Sequence, residues 1–89
     1  MNTETQKTMD RFVKDGRLCQ LPKKHAPRLV ILSWLAESFE PGQRYPETRV
    51  NAMLDGHALD YAALRRLLVD YGFLARNHGI YWRVESRSA

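Results

Sequence analysis

The sequence predicts a mainly helical α+β fold that closes with a β-hairpin, and three observations support this prediction. The chain has 89 residues, enough for one hydrophobic core and too few for two. Apolar residues recur at helical spacing as far as Tyr71. After Gly72 the spacing changes to that of strands, with two short runs of strand formers around a turn.

Composition and charge narrow the class of protein. Hydrophobic residues make up 44% of the chain and charged residues 27%, which is typical of a globular domain. Fourteen Lys and Arg against ten Asp and Glu give a net charge of +4, which suits an anionic partner such as nucleic acid. Cys19 is the one cysteine, so no intramolecular disulfide can form. We see no secretory signal, and the apolar stretch from Leu29 to Ala36 is too short to span a bilayer, so we expect a cytoplasmic protein without membrane contact.

Residues 1–89 are predicted to form one domain in three parts: an N-terminal helix over 1–16, a core over 17–84 and a polar tail over 85–89. Met9, Phe12 and Val13 share one face of the first helix, which Gly16 ends. This face either joins two copies in a homodimer or folds back onto its own core. Both alternatives remain open at this point.

The core begins with a central helix from Arg28 to Phe39, with Pro27 in its first turn. Apolar side chains surround most of this helix, so it must be packed on more than one side. Arg44 and Tyr45 are predicted to form a brief strand. A second helix is expected from Pro46 to Leu54, with Gly56 as its stop.

The third helix is predicted to start at Asp60, whose carboxylate can cap it, and to end at Gly72. Its expected buried stripe consists of Leu64, Leu67, Leu68 and Tyr71. The runs 73–76 and 80–84 then form a hairpin around Asn77-His78-Gly79. Two helices joined by a short connection and followed by a hairpin predict a winged helix-turn-helix, with the hairpin as the wing.

A cationic ridge is predicted on the third helix. Burial of its stripe is expected to turn outward the opposite face, which carries Tyr61, Ala62, Arg65, Arg66 and Val69. A helix fits the major groove of DNA, arginine can bond guanine or phosphate, and Ala or Val can touch a thymine methyl group. Alternatively, the arginines form a solvated face and pair with Asp60 or Asp70.

The wing and the loop before the central helix supply further cations. Arg76, His78 and Arg83 are placed to reach a DNA backbone, although Arg76 and Arg83 could instead be a solvent-facing cross-strand pair. Lys23 and Lys24 lie in an acid-free basic stretch with Arg17, His25 and Arg28, which is either a phosphate contact or a solvated loop. Tyr81 and Trp82 alternate across their strand, and we expect core packing rather than base stacking.

Catalytic and metal-binding patterns are not found. The sequence has no CxxC, HExxH, GxSxG or glycine-rich phosphate loop. His57 and Asp60 are interpreted as a helix-start pair rather than a catalytic one. We therefore expect no enzyme, no cofactor, no metal site and no small-molecule substrate.

Several motifs resemble a bacterial family. Phe39-Glu40-Pro41-Gly42 and Leu64-Arg65-Arg66 are among the most specific, and Tyr81-Trp82-Arg83 matches the end of the family. The similarity runs from Phe12 to Val84. The family is domain of unknown function 2087. The resemblance implies a winged-helix fold, often described as a transcriptional regulator, and implies no particular operator or substrate.

One departure from the family concerns the second helix. Its members usually open this helix with Thr or Ser and place Glu three residues later, a capping box. Here those positions are Pro46 and Arg49, so the reciprocal cap is missing. Asn51 matches the family, and we expect it to bond across to the third helix rather than to phosphate.

These observations leave competing hypotheses for function. The first is a double-stranded DNA-binding regulator. The second is a protein-interaction module on the same scaffold, because fold does not determine function. An RNA-binding module would need exposed aromatic residues, for which Tyr45, Tyr61 and Tyr81 are the candidates.

Overall fold

A computed structural model of the chain describes residues 3–84, in which helices and short strands alternate. The elements are α1 (Thr3–Phe12), β1 (Val13–Lys14), β2 (Arg17–Leu18), α2 (His25–Ala36), β3 (Arg44–Pro46), α3 (Glu47–Leu54), α4 (Tyr61–Asp70), β4 (Leu74–Asn77) and β5 (Ile80–Arg83). The predicted α+β class is therefore confirmed. Residues 85–89, the predicted tail, lie outside the described part. None of the helices within residues 3–84 has the length and apolarity needed to cross a membrane.

The core surrounds α2, as the apolar residues around that helix predict. Ile31, Leu32, Leu35 and Ala36 are buried along it. They pack in one cluster with buried residues of β2, α3, α4 and the last two strands, which include Leu18, Val50, Leu54, Leu64, Leu68, Leu74 and Tyr81. Each of α2, α3 and α4 thus contributes its apolar side chains to a single core, and its polar side chains lie outside that core.

The N-terminal segment differs from its prediction. The helix ends at Phe12 rather than near Gly16, and Val13 pairs with Leu18 in an antiparallel hairpin. Asp15 and Gly16 form the turn with φ of 53° and 76°, the left-handed conformation that a two-residue hairpin turn requires. Met9, Phe12 and Val13 fold back against the core, which is the second of the two alternatives. The homodimer stays a prediction.

The central helix starts at His25, three residues before its predicted start. Pro27 is therefore the third helical residue, still within the first turn, where a missing N–H leaves no hydrogen bond unmade. The helix ends at Ala36 rather than Phe39, and a tight turn continues so that Phe39 is fully buried.

The strand after α2 and the C-terminal hairpin (β4 and β5) form a three-stranded sheet in the order β3-β5-β4. Tyr45 lies opposite Tyr81 and Arg44 opposite Trp82. The Arg44 guanidinium lies 4.7 Å from the centre of the Trp82 ring on the outer face. His78 and Gly79, with φ of 51° and 78°, make the predicted turn, whereas Asn77 belongs to β4.

Helices α3 and α4 lie at the predicted places, with two local corrections. Asp60 is the residue before α4, but its carboxylate accepts no capping hydrogen bond. Leu64 and Leu68 are fully buried, while Leu67 and Tyr71 are half-buried, so the buried stripe is narrower than predicted. Since α4 is less deeply embedded, its position depends on polar contacts as well as on core packing.

The turn between α3 and α4 is attached to β2 through His57. The Leu18 N–H donates to His57 Nδ1 (2.9 Å), and the Ala58 N–H donates to the Leu18 carbonyl (2.9 Å). Burial, and secondarily the charge of Arg17, lower the pKa of His57 below its ordinary 6.5. The imidazole is therefore held neutral, as its acceptor role requires, and it does not pair with Asp60.

This contact makes folding stability depend on pH. Because the pKa of His57 is lower in the folded protein, the unfolded chain takes up the proton first as pH falls below about 6.5. Stability is fully present above that pH and is lost as pH falls towards the folded-state pKa. We expect the free energy of unfolding in urea to decrease between pH 7.5 and pH 5.5.

The matched variant is His57→Asn, which retains an acceptor near the Nδ1 position and does not titrate. It should show a smaller loss of stability over the same pH interval. Identical pH dependence in the two proteins would contradict the role of His57.

Candidate nucleic-acid interface

The side chains on the outer face of α4 are identified by their angle around the helix axis relative to the buried residues Leu64 and Leu68. Successive residues of an α-helix turn by about 100°. Arg66 lies opposite Leu64 and Leu68 and is exposed, whereas Arg65 lies on the flank of the stripe. The side chain of Arg65 is only 15% exposed. The prediction of two outward arginines is therefore wrong for Arg65.

Arg65 is held by two residues of α3. Its Nη1 donates to Asn51 Oδ1 and lies 3.9 Å from Glu47 Oε2. Glu47 and Asn51 are four residues apart, so they share one side of α3 and face the same guanidinium. Asn51 thus bonds across to the next helix, as predicted. Neither Arg65 nor Arg66 pairs with Asp60 or Asp70 in the described part of the chain.

Glu47 also ties α3 to the C-terminal hairpin. The buried Tyr81 donates its hydroxyl to Glu47 Oε1 (2.8 Å). The Glu47 backbone N–H donates to the Gly79 carbonyl (2.9 Å), which satisfies one of the N–H groups that have no partner within α3. Tyr81, Glu47, Arg65 and Asn51 form one chain of contacts, named here the Glu47 network. It fixes both helices and the hairpin relative to one another.

A cleft of about 300 Å³ lies between α4 and the C-terminal hairpin. We name it the α4 cleft, and it is lined by Arg65, Arg66, Val69, Asp70, Arg76 and Tyr81. Arg66 and Arg76 are exposed and make no hydrogen bond or ion pair with any residue of the described range. The two guanidiniums therefore remain available to a ligand, while the Asp70 carboxylate offsets part of their charge.

Of the remaining α4 residues predicted to meet DNA, Val69 lines this cleft, whereas Tyr61 and Ala62 are not among its lining residues. Tyr61, at the first position of α4, is 39% exposed. Ala62 and Val69 are half-buried, and Val69 also packs against the core. Ala62 and Val69 thus offer small apolar side chains rather than further charge.

The hairpin contributes fewer free cations than predicted. Arg83 is half-buried, and its Nη1 donates to the Phe39 carbonyl (3.2 Å). Side chains alternate along a strand, so Arg83 shares the inward face with Tyr81, two residues before it. Arg83 lies opposite Leu74, and Arg76 lies opposite Tyr81, so the arginines are not a cross-strand pair. His78 is exposed at the turn, as predicted.

The basic loop before α2 divides into structural and free residues. Arg28 donates to the Pro22 carbonyl and the Tyr71 hydroxyl, Arg17 donates to the Gly56 carbonyl, and the His25 ring contacts Tyr71. Lys23 and Lys24 are exposed, but they line a different cleft, next to α1. The predicted site residues are thus divided between two surfaces.

The aromatic candidates for base stacking are mostly used by the fold. Tyr81 is buried, and Tyr45 packs edge-on against Phe39 while its hydroxyl accepts from the Glu40 N–H. Tyr61 is the exposed member of the three. Among residues 3–84, no three His, Cys, Asp or Glu side chains gather as a metal site.

Comparison with known proteins places this small α+β domain in a family. Residues 17–83 match the model of DUF2087, which is described as an uncharacterized protein conserved in bacteria. The chain belongs to this family. The matched range starts with β2, so α1 and β1 precede it. No curated protein and no solved structure matches the chain.

The two neighbouring arginines of α4 should differ in their effect on stability. Arg65→Ala removes a charged hydrogen bond, leaves Asn51 Oδ1 without its donor and removes the ion pair of Glu47. We expect a loss of about 1–2 kcal/mol, which corresponds to about 4–16 °C in Tm for a domain of this size. Arg66→Ala removes an exposed side chain and should change the stability by less than about 0.5 kcal/mol.

Thermal unfolding followed by circular dichroism measures both variants under the same conditions. Equal Tm values for Arg65→Ala and Arg66→Ala would show that the Glu47 network does not stabilise the fold.

Proposed function

We propose that the chain is a winged-helix domain that binds double-stranded DNA and acts in transcriptional regulation, with α4 in the major groove and the C-terminal hairpin as the wing. The single observation that carries the proposal is the pair of unpartnered guanidiniums, Arg66 and Arg76, that flank the α4 cleft. One lies on a helix and the other on the neighbouring hairpin.

The order of elements supports the winged-helix part of the proposal. From α2 onward the chain runs helix, strand, helix, helix and two strands. The short strand β3 joins the hairpin next to β5, and α3 and α4 are joined by residues 55–60. This order is the one expected of a helix-turn-helix whose second helix lies beside a wing, and it therefore supports that proposal.

The chemistry of the outer face supports a duplex as the ligand. A guanidinium can bond guanine bidentately in the major groove or grip a phosphate, and the small Ala62 and Val69 allow close approach to a base edge. Arg76, on β4, lines the cleft beside α4, and we assign it a phosphate contact. Since Arg65 is held by Glu47, Arg66 is the residue of α4 that we assign to the DNA.

The DNA-binding prediction concerns Arg66→Ala and Arg76→Ala, with Lys14→Ala as the control. Lys14 lies on β1, outside the α4 cleft, and its loss changes the net charge equally. A base contact by Arg66 should cost about 1–3 kcal/mol and relax the sequence preference. A phosphate contact by Arg76 should weaken all duplexes alike and reduce the salt slope by about one.

Duplexes selected from a random pool serve as probes, and fluorescence anisotropy over a range of salt concentrations gives affinity and slope. If both arginine variants bind as the Lys14→Ala control does, the assignment to the α4 cleft is wrong. If the unaltered protein does not retain mixed-sequence duplex even at low salt, the protein-interaction alternative is favoured instead.

A further inference from the structure

A second cleft, larger than the α4 cleft, lies between α1 and the loop that leads into α2. Its volume is about 600 Å³, within the range of small-molecule sites. Residues of α1 form one wall, and residues 20–27 form the other. We name it the basic groove, after the cations that line it: Lys7, Arg11, Lys23 and Lys24.

The charge of the basic groove is strongly one-sided. Four cations face one carboxylate, that of Glu4, and none of the five is ion-paired within residues 3–84. Lys7 and Arg11 are four residues apart on α1, so they lie on one side of that helix. Lys23 and Lys24 face them from the loop. Like charges gathered across a cleft repel one another, and an anion placed between them relieves that repulsion.

The groove also offers apolar surface. Phe12 and Pro27 are half-buried residues of its lining. The Arg11 guanidinium lies 5.3 Å from the centre of the Phe12 ring, so this exposed cation is positioned over an aromatic face. A ligand with an anionic part and a flat apolar part can use both surfaces at once.

We propose that the basic groove binds a small phosphorylated molecule that carries an apolar ring, with Lys7 and Lys24 contacting its phosphates from opposite walls. A nucleoside diphosphate is the simplest probe of this class. The inference goes beyond DNA binding, because the basic groove and the α4 cleft share no lining residue.

The shape of the groove favours a small anion over a duplex. A duplex is a convex surface, and protruding helices and hairpins enter its grooves. The basic groove is instead concave, with a wall on each side, so a molecule of limited size can reach both walls. Because α1 forms one of these walls, a ligand there would bridge α1 and the start of α2.

The test is isothermal titration of the full chain with ADP and with inorganic pyrophosphate. The variants are Lys7→Gln and Lys24→Gln, one from each wall, and Lys14→Gln is the matched control outside the groove. Each groove variant should weaken ADP binding about fivefold, as the loss of one nearby charge predicts, while the control should change it by less than about twofold. ADP should bind more tightly than pyrophosphate, because only ADP carries a ring.

Four results would overturn the proposal. The first is a dissociation constant for ADP weaker than about 1 mM. The second is equal weakening by all three variants, which indicates net charge alone. The third is equal affinity for pyrophosphate and ADP, which removes the apolar part of the ligand. The fourth is a loss of duplex or single-stranded DNA binding in the groove variants beyond that of Lys14→Gln, because the groove is then a nucleic-acid contact. The Arg66 and Arg76 variants test DNA binding separately.

Discussion

One carboxylate, that of Glu47, connects α3 to both α4 and the C-terminal hairpin. It lies at the first residue of α3, accepts from Tyr81 of β5 and faces Arg65 of α4. The same residue's N–H donates to the carbonyl of Gly79 in the hairpin turn. Two helices and a hairpin therefore meet at a side chain that is still 44% exposed. These polar contacts at the edge of the core thus help to position α4, in addition to the burial of Leu64 and Leu68.

Several arginines fall into two groups: some are hydrogen-bonded within the fold, and others are exposed. Arg65, Arg83 and Arg28 donate to partners within the described residues and support the framework. Arg66 and Arg76 are exposed beside that framework. For the proposed DNA binding, this arrangement matters because arginines on a mobile element would lose more entropy on binding than arginines beside a hydrogen-bonded framework.

His57 has a corresponding role on the other side of the α3–α4 turn. It accepts from Leu18, and the Trp34 ring lies edge-on at 5.9 Å. The turn is thus fixed to β2, and β2 pairs with β1, which follows α1. The N-terminal segment is in this way connected to the helix pair through hydrogen bonds as well as apolar packing, although it carries a cleft of its own.

Much of the fold could be predicted from local patterns. The positions of α2, α3, α4 and the final hairpin follow from apolar spacing, from Pro27 and from the glycines at 56, 72 and 79. Asp15-Gly16 is also a hairpin signal, but Val13 completes the apolar face of α1, so helical spacing extended the predicted helix too far. Asp60 lies directly before α4, as predicted, but its carboxylate makes no capping hydrogen bond. The residue type indicates where a helix starts and does not show whether the side chain bonds there.

The candidate site was harder to predict from the sequence than the fold was. A buried stripe determines which residue points directly away from it, here Arg66, but residues on its flank can face a neighbouring element. The four-residue spacing of Glu47 and Asn51 was a signal that α3 could hold such a flanking cation. The inward direction of Arg83 follows from its alternation with Tyr81. The sequence did not indicate that Lys23 and Lys24 line the basic groove rather than the α4 cleft. The basic groove is formed by the packing of α1 next to the loop before α2, which local patterns do not specify.

The most direct measurement of this account is nuclear magnetic resonance of the arginine side chains in the unbound protein. Rotation and hydrogen exchange of each guanidinium report whether it is held by partners. The Glu47 network predicts slow exchange and restricted rotation for Arg65. Both should become faster in Glu47→Gln, in which the ion pair is lost while the hydrogen bond to Asn51 remains. Arg66 should exchange rapidly in both proteins. Equal, rapid exchange of Arg65 and Arg66 in the unaltered protein would contradict it, because both arginines would then be free.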